Sequence, residues 1–228
     1  MRDDGLIAEL VLLDGLSAPR IQCAPGVVPA PGQYVLAHAH NYDEPLATAL
    51  FMVQQDARGF VASPPAPDSW RPGARVHLRG PLGNGFALPP AARRVALVAS
   101  DDQPRRLLAL VGTAIQQGAS VTLLCDDPPD DLSLQVEIQP LRALESVLRW
   151  SDYAALDVAR ESLPGLTEKL VAQGVLTVGG QAQVLVRTPM PCGGLAECGV
   201  CTVPARGDSR LACENGPVFD LKLLALER

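Results

Sequence analysis

The chain has 228 residues, 47% of them hydrophobic and 19% charged, with a formal charge of −6, a pI near 5.0 and a mean hydropathy of +0.14. That balance excludes a disordered chain, and the absence of any lysine- or arginine-rich block removes the electrostatic footprint of nucleic-acid binding. No run reaches the roughly 18–20 uncharged apolar residues of a membrane span, and MRDDGLIAEL is acidic where a secretory signal is basic and then apolar; the expectation is a cytoplasmic protein with neither membrane nor nucleic acid as partner.

In chain order, residues 1–91 read as short strands, LIAELVLL, QYVLAHAH, LATALFMVQ and RVHLRG, separated by the turn-rich stretches PAPG, SPPAPDS, RPGA and GPLGNG. Such spacing predicts a small antiparallel barrel or sandwich. Residues 60–72, FVASPPAPDSWRP, fit a hairpin loop. From residue 92 the style changes. ARRVALVAS is a buried-strand run, PRRLLALVGTAIQQG has helical periodicity closed by Gly118, and ASVTLLCDD is a second apolar run, together a β-α-β unit. LQVEIQPL, ALESVLRW, YAALDVA and the helix LPGLTEKLVAQG, ending at Gly174, extend an α/β layer over 92–180. QAQVLVRT is a last strand leading into a cysteine-rich stretch, and VFDLKLLAL follows it.

Four of the six cysteines lie between Cys192 and Cys213, in PCGGLAECGVCTVPARGDSRLACENGPVF. A reducing compartment disfavours disulfides. Four thiolates suit zinc, but structural four-cysteine zinc sites come as two short-spaced knuckles, and only Cys198 and Cys201 are closely spaced. Three thiolates from one tight loop and a fourth from farther on is the plan of plant-type [2Fe–2S] ligation, with five residues in the first gap here instead of four. Gly193, Gly194 and Gly199 let the loop turn tightly and aim amide N–H groups at anionic sulfur. Spacing alone ranks a cluster ahead of zinc, and zinc ahead of a chance grouping. Cys23 and Cys125 read as structural.

TPMPCGGLAECGVCTV and LACENGPVFDL resemble the C-terminal iron–sulfur domain of the electron-transfer subunit of heteromeric dihydroorotate dehydrogenase, a member of the ferredoxin-reductase-like group of flavoproteins. PGQYV, GPLGNGF and RRVALVAS follow the same order, so the resemblance spans nearly the whole chain. It implies an α+β multidomain protein: an FAD-binding-type barrel over 1–91, an NAD-binding-type Rossmann-like layer over 92–180 and a small [2Fe–2S] domain over 181–228. Cys192, Cys198, Cys201 and Cys213 fall on the ligand positions, with Gly193, Gly194 and Gly199 supporting them, and the cluster would relay single electrons to a flavin in a partner subunit.

Two sites depart from that pattern. Where an Arg-Pro-x-Ser-type stretch faces the FAD pyrophosphate, this chain has DEPLAT, with Glu44 at the arginine position and Ala47 at the hydroxyl position. Two unit charges about 5 Å apart at an effective dielectric near 20 interact by roughly 3 kcal/mol, and exchanging attraction for repulsion costs about twice that before screening. After RVALVA, a glycine-rich turn would bring backbone amides to a pyrophosphate. Ser100, Asp101, Asp102, Gln103 and Pro104 stand there instead, and YAALDVARES replaces the expected Cys-Gly-Pro turn. The departures count against both FAD and NAD(P)H, with the architecture kept. GPLGNGF reads equally well as a tight turn. His38, His40 and His77 read as surface or satisfied barrel residues, the shared strand face of His38 and His40 leaving a weak metal-site alternative.

The resulting expectation is a redox-relay subunit for a catalytic, dihydroorotate dehydrogenase-like oxidoreductase, docked through an exposed apolar patch near the cluster. One alternative is a complete NAD(P)H-linked flavin reductase that binds FAD through Arg58, Arg71, Arg75 or Arg79. The other is a non-catalytic interaction subunit with a structural zinc site.

Overall fold

The computed structural model describes residues 1–39, 45–101, 104–175 and 180–224. Strands β1 (Arg2–Leu13), β2 (Leu16–Gln22), β3 (Tyr34–Ala39), β4 (Thr48–Asp56), β5 (Gly59–Ala62) and β6 (Arg75–Leu82) close an antiparallel barrel in the order β1-β2-β5-β4-β3-β6. Its interior is filled by Ile7, Ile21, Val35, Leu50, Met52, Phe60, Val76 and Leu78, with Trp70 supplied by the long loop after β5. Alternation along β6 turns Val76 and Leu78 inward and His77 and Arg79 outward. The unbroken apolar run of β3 has a different cause: Val35 and Ala37 face the barrel core, while Tyr34 and Leu36 are buried on its outer face. Sequence pattern misses β2 and β5. β2 contains Pro19, and β5 is four residues long and opens the stretch read as hairpin loop.

The second layer is a six-stranded sheet in the order β14-β11-β10-β7-β8-β9, formed by β7 (Arg94–Ala99), β8 (Ser120–Leu124), β9 (Val136–Gln139), β10 (Tyr153–Ala159), β11 (Gln181–Arg187) and β14 (Val218–Asp220). Five strands are parallel, and β14 runs antiparallel beside β11. The central strands β7 and β10 are covered on both faces, which is why they read as continuous apolar runs. Connecting helices are α1 (Arg105–Leu108), α2 (Val111–Gln116), α3 (Leu144–Trp150) and α4 (Leu163–Ala172). The expected helix before Gly118 is therefore two, divided where the Leu110 N–H bonds back to the Leu107 carbonyl at 3.0 Å. Gly118 and Gly174 have φ of +77° and +63° and end their helices as the sequence predicts.

Between β11 and β14 lie the cysteine loop, the hairpin of β12 (Thr202–Ala205) and β13 (Asp208–Leu211), and α5 (Ala212–Asn215); α6 (Leu221–Leu224) follows β14. Among the described residues no helix is long and apolar enough to cross a membrane.

At the entry to the sheet, Asp152 accepts the backbone N–H groups of Arg93 and Arg94 and a two-pronged bond from the Arg94 guanidinium. The Arg94 bonds, with those amides, pull its carboxyl from 3.8 down to about 2. A depressed carboxyl contributes its stability above the unfolded pKa and loses it as pH falls through the folded one. Wild-type stability is therefore expected to decline between about pH 4 and pH 2 with a component that Asp152→Asn lacks. Urea melts of both proteins across that range measure it, and identical slopes would refute it.

Candidate functional site

The cysteine loop is built on left-handed backbone. Gly193, Gly194 and Gly199 have φ of +65°, +71° and +69°, and Ala196 joins them at +61°. Repeated left-handed residues curl the chain so that successive N–H groups point inward. The Leu195 N–H and then the Cys198 side chain, helped by the N–H groups of Glu197 and Cys198, hold the Cys192 thiol down at about 6. On the inner side the sulfurs of Cys201 and Cys213 lie 3.3 Å apart, with only 1% and 8% of these residues exposed. Burial first, and the neighbouring Cys201 sulfur second, push the Cys213 thiol up to about 11.

Of the four predicted residues, Cys201 before the β12–β13 hairpin and Cys213 in α5 after it meet as an inner pair, while Cys192 and Cys198 stand together in the loop ahead of them as an outer pair. Among the described residues no three His, Cys, Asp or Glu side chains gather as they do around one metal ion. A tetrahedral zinc site needs four ligands around a point, whereas a two-iron cluster takes two thiolates at each iron. Paired thiols, inward amides and small residues at the turns fit the second group.

Long-range bonds seat the loop. Tyr34 on the outer face of β3 donates its hydroxyl to the Cys213 carbonyl at 3.4 Å, and Arg79 on β6 donates to the Gly193 carbonyl. Burial raises the Tyr34 hydroxyl to about 12, so it stays a donor at neutral pH. A Cβ on Gly194 would stand 3.0 Å from the Tyr34 oxygen and 3.3 Å from the Arg79 guanidinium, tight against both. From the other layer Arg160 donates to the Val200 carbonyl. Three of the stretches behind the family resemblance, PGQYV, GPLGNGF and LACENGPVFDL, meet here. The Gln33 side chain bonds the Gly83 carbonyl, the Phe86 N–H the Pro31 carbonyl, and Asn84 both the Gly216 and Asn215 carbonyls. GPLGNGF is therefore no hairpin: Gly83, at φ +72° and with a Cβ position 2.5 Å from Pro217, lets the barrel exit press against the tail.

A cleft of about 760 Å³ opens beside the loop, with Leu36, Ala47, Arg79 and Cys192 in its wall. A smaller cavity of about 200 Å³ lies between Ala47 and the Pro189–Pro191 stretch. Glu44 and His40 lie outside the described residues. His77 bonds Asp4 at 2.5 Å and stands opposite His38 in the β3–β6 register.

Strand order reverses between β7 and β10, the place where open α/β sheets bind dinucleotides. Here the carboxyl ends of those strands hold an ion-pair chain. Asp157, 1% exposed, takes Arg106 Nε and Arg187 Nε, each at 2.7 Å, while Arg187 also reaches Asp101 at 2.5 Å. Arg106 continues to Ser63 of the barrel, and neighbouring Arg105 pairs with Asp14 and Asp131. Carboxylates already paired, after a strand followed by a four-residue helix, do not fit a dianionic pyrophosphate. Asp102 and Gln103 lie outside the described residues. Sequence reasoning missed this network, although an aspartate within the apolar run YAALDVA was its visible signal. It also missed Tyr34, Arg79 and Ala196 as loop-seating residues.

No protein-family model and no curated protein matches the chain. Solved structures do. The chain is similar to an NADH-dependent reduced ferredoxin-NADP oxidoreductase studied for flavin-based electron bifurcation, with a TM-score of 0.71 and 15% identity over 97% of this chain and 89% of that one. It is similar to the ferredoxin reductase of carbazole 1,9a-dioxygenase in its FAD apo form, with a TM-score of 0.61 and 16% identity over 77% of this chain and 64% of that one. Phthalate dioxygenase reductase, described as a modular structure for electron transfer from pyridine nucleotides to [2Fe–2S], matches with a TM-score of 0.56 and 13% identity over 82% and 67%. At these identities the likeness is one of fold: a closed barrel and a Rossmann-like sheet arranged as in ferredoxin reductases.

Proposed function

We propose that this chain is an electron-transfer subunit that relays single electrons, through a [2Fe–2S] cluster held by Cys192, Cys198, Cys201 and Cys213, to or from a catalytic oxidoreductase of the dihydroorotate dehydrogenase kind. The 3.3 Å approach of the Cys201 and Cys213 sulfurs beside the glycine-turned loop that carries Cys192 and Cys198 supports the reading most directly. A cluster bound there would supply one-electron chemistry. The chain's own residues do the rest. The amides of Leu195, Glu197 and Cys198 offset sulfur charge, and the buried inner pair keeps water away. On the outer side Cys198 is exposed between Leu195 and Val200, apolar side chains 56% and 41% exposed, a face suited to a partner. Residues 181–228 would then be the cluster-bearing part of the chain, although β11 and β14 extend the sheet.

Anaerobically purified protein is expected to contain iron and acid-labile sulfide in equal amounts and to show a visible band that dithionite bleaches. A colourless protein with stoichiometric zinc would overturn the reading in favour of a structural metal site.

A flavin-reductase reading draws on one observation: Arg79 shares the 760 Å³ cleft with Ala47, putting a cation beside the position where an FAD hydroxyl contact is expected. FAD released on denaturing the same sample would establish it.

A further inference from the structure

Buried and part-buried arginines of this protein are matched by carboxylates: Arg20 by Glu9 and Asp56, Arg105 by Asp14 and Asp131, Arg106 and Arg187 by Asp157, and Arg160 by Glu161. Arg79 is the exception. Among the described residues it has no carboxylate within 4.0 Å. Its Nη2 donates to the neutral carbonyl of Gly193, and its Nε is buried without a partner. The carboxylates that line the same cleft are engaged elsewhere, Asp4 with His77 and Asp3 with the Ala24 amide. Directly opposite Arg79 in the β1–β6 register stands Arg2, a second cation on the same cleft wall. Like charges so placed repel. A part-buried cation without a counter-ion is costly, and this one lies against the glycines between Cys192 and Cys198.

We propose that Arg79, reinforced by Arg2, is the counter-charge of the cysteine-loop metal centre and raises its reduction potential. The inference rests on the cluster reading above. Four thiolates, two sulfides and two ferric ions sum to a charge of −2, and the electron accepted on reduction makes it −3. Because reduction adds one negative charge and moves no proton, a fixed positive charge favours the reduced form, more strongly where the effective dielectric is well below that of water. The Gly193 bond fixes where that charge sits, and the register of β1 against β6 at the closure of the barrel fixes Arg2 beside it.

Redox titration of the full chain with dithionite, with iron and labile sulfide assayed on each sample, tests this. At the wild-type midpoint, Arg79→Gln is expected to lower the ratio of reduced to oxidised cluster about tenfold, a shift of about 59 mV for one electron. Arg79→Lys, which keeps the charge, should stay within about threefold of wild type. Arg2→Glu places a carboxylate opposite Arg79 on an exposed residue, leaves the Gly193 bond in place, and should lower the ratio in the same direction even if Arg79→Gln fails to retain iron. A loaded Arg79→Gln or Arg2→Glu protein with the wild-type midpoint overturns the proposal. A merely structural Arg79 would shift thermal stability in Arg79→Gln and leave the Arg2→Glu midpoint alone. Wild-type protein without iron and sulfide would instead overturn the underlying cluster reading.

Discussion

Asp157→Ala is expected to destabilise the protein by about 3–5 kcal/mol, the usual consequence of removing one partner from a buried ion pair. The residue sits at the carboxyl end of β10 between Arg106 of α1 and Arg187 of β11. Its loss leaves two guanidinium groups facing each other without compensation. Against a total stability of typically 5–15 kcal/mol, that change removes about a fifth or more of it. Urea denaturation measures the difference, and a loss below about 1 kcal/mol would show that the network is solvated. Replacing Asp157, Arg106 and Arg187 together with apolar residues of similar volume should cost far less than Asp157→Ala, because the price of such a network lies in desolvation and not in missing attraction. The consequence reaches the cysteines, since Arg187 is the last residue of β11 and only four residues separate it from Cys192. Asp157→Ala should therefore also lower metal retention.

Cys201→Ser or Cys213→Ser is expected to abolish cluster retention, reducing iron per chain to about a tenth of wild type or less, whereas Cys23→Ser and Cys125→Ser leave it unchanged. A hydroxyl is a poor ligand for a site that selects soft thiolates, and among the described residues no further Cys, His, Asp or Glu gathers with the buried inner pair to substitute for it. Iron and sulfide analysis of the four variants decides the matter; a Cys201→Ser protein with full iron would remove that residue from the ligand set. The pH dependence of loading follows from the same pair. Because the Cys213 thiol is pushed up to about 11, it is protonated at neutral pH in the metal-free protein, and binding must expel that proton. Reconstitution should accordingly strengthen as pH rises from about 6 to 8, with release of acid that a weakly buffered titration records.

What the sequence by itself determined was local. Apolar alternation in RVHLRG, the continuous runs of RVALVA and YAALDVA and the glycines that end α2 and α4 all follow from the spacing of near neighbours along one backbone. For that reason the barrel and the Rossmann-like layer were legible in the sequence. The same pattern did not show β2 or β5, because Pro19 and a four-residue strand leave no period to detect and both are held by the strands on either side. Only the tertiary structure decided how the thiols pair, which arginines are compensated and what fills the reversal point of the sheet. Arg106 is 51 residues from Asp157, and Arg79 is 114 from Gly193. Whether a charge finds a counter-charge depends on which strands the fold lays side by side, and spacing along the chain is silent about that when the partners are so far apart.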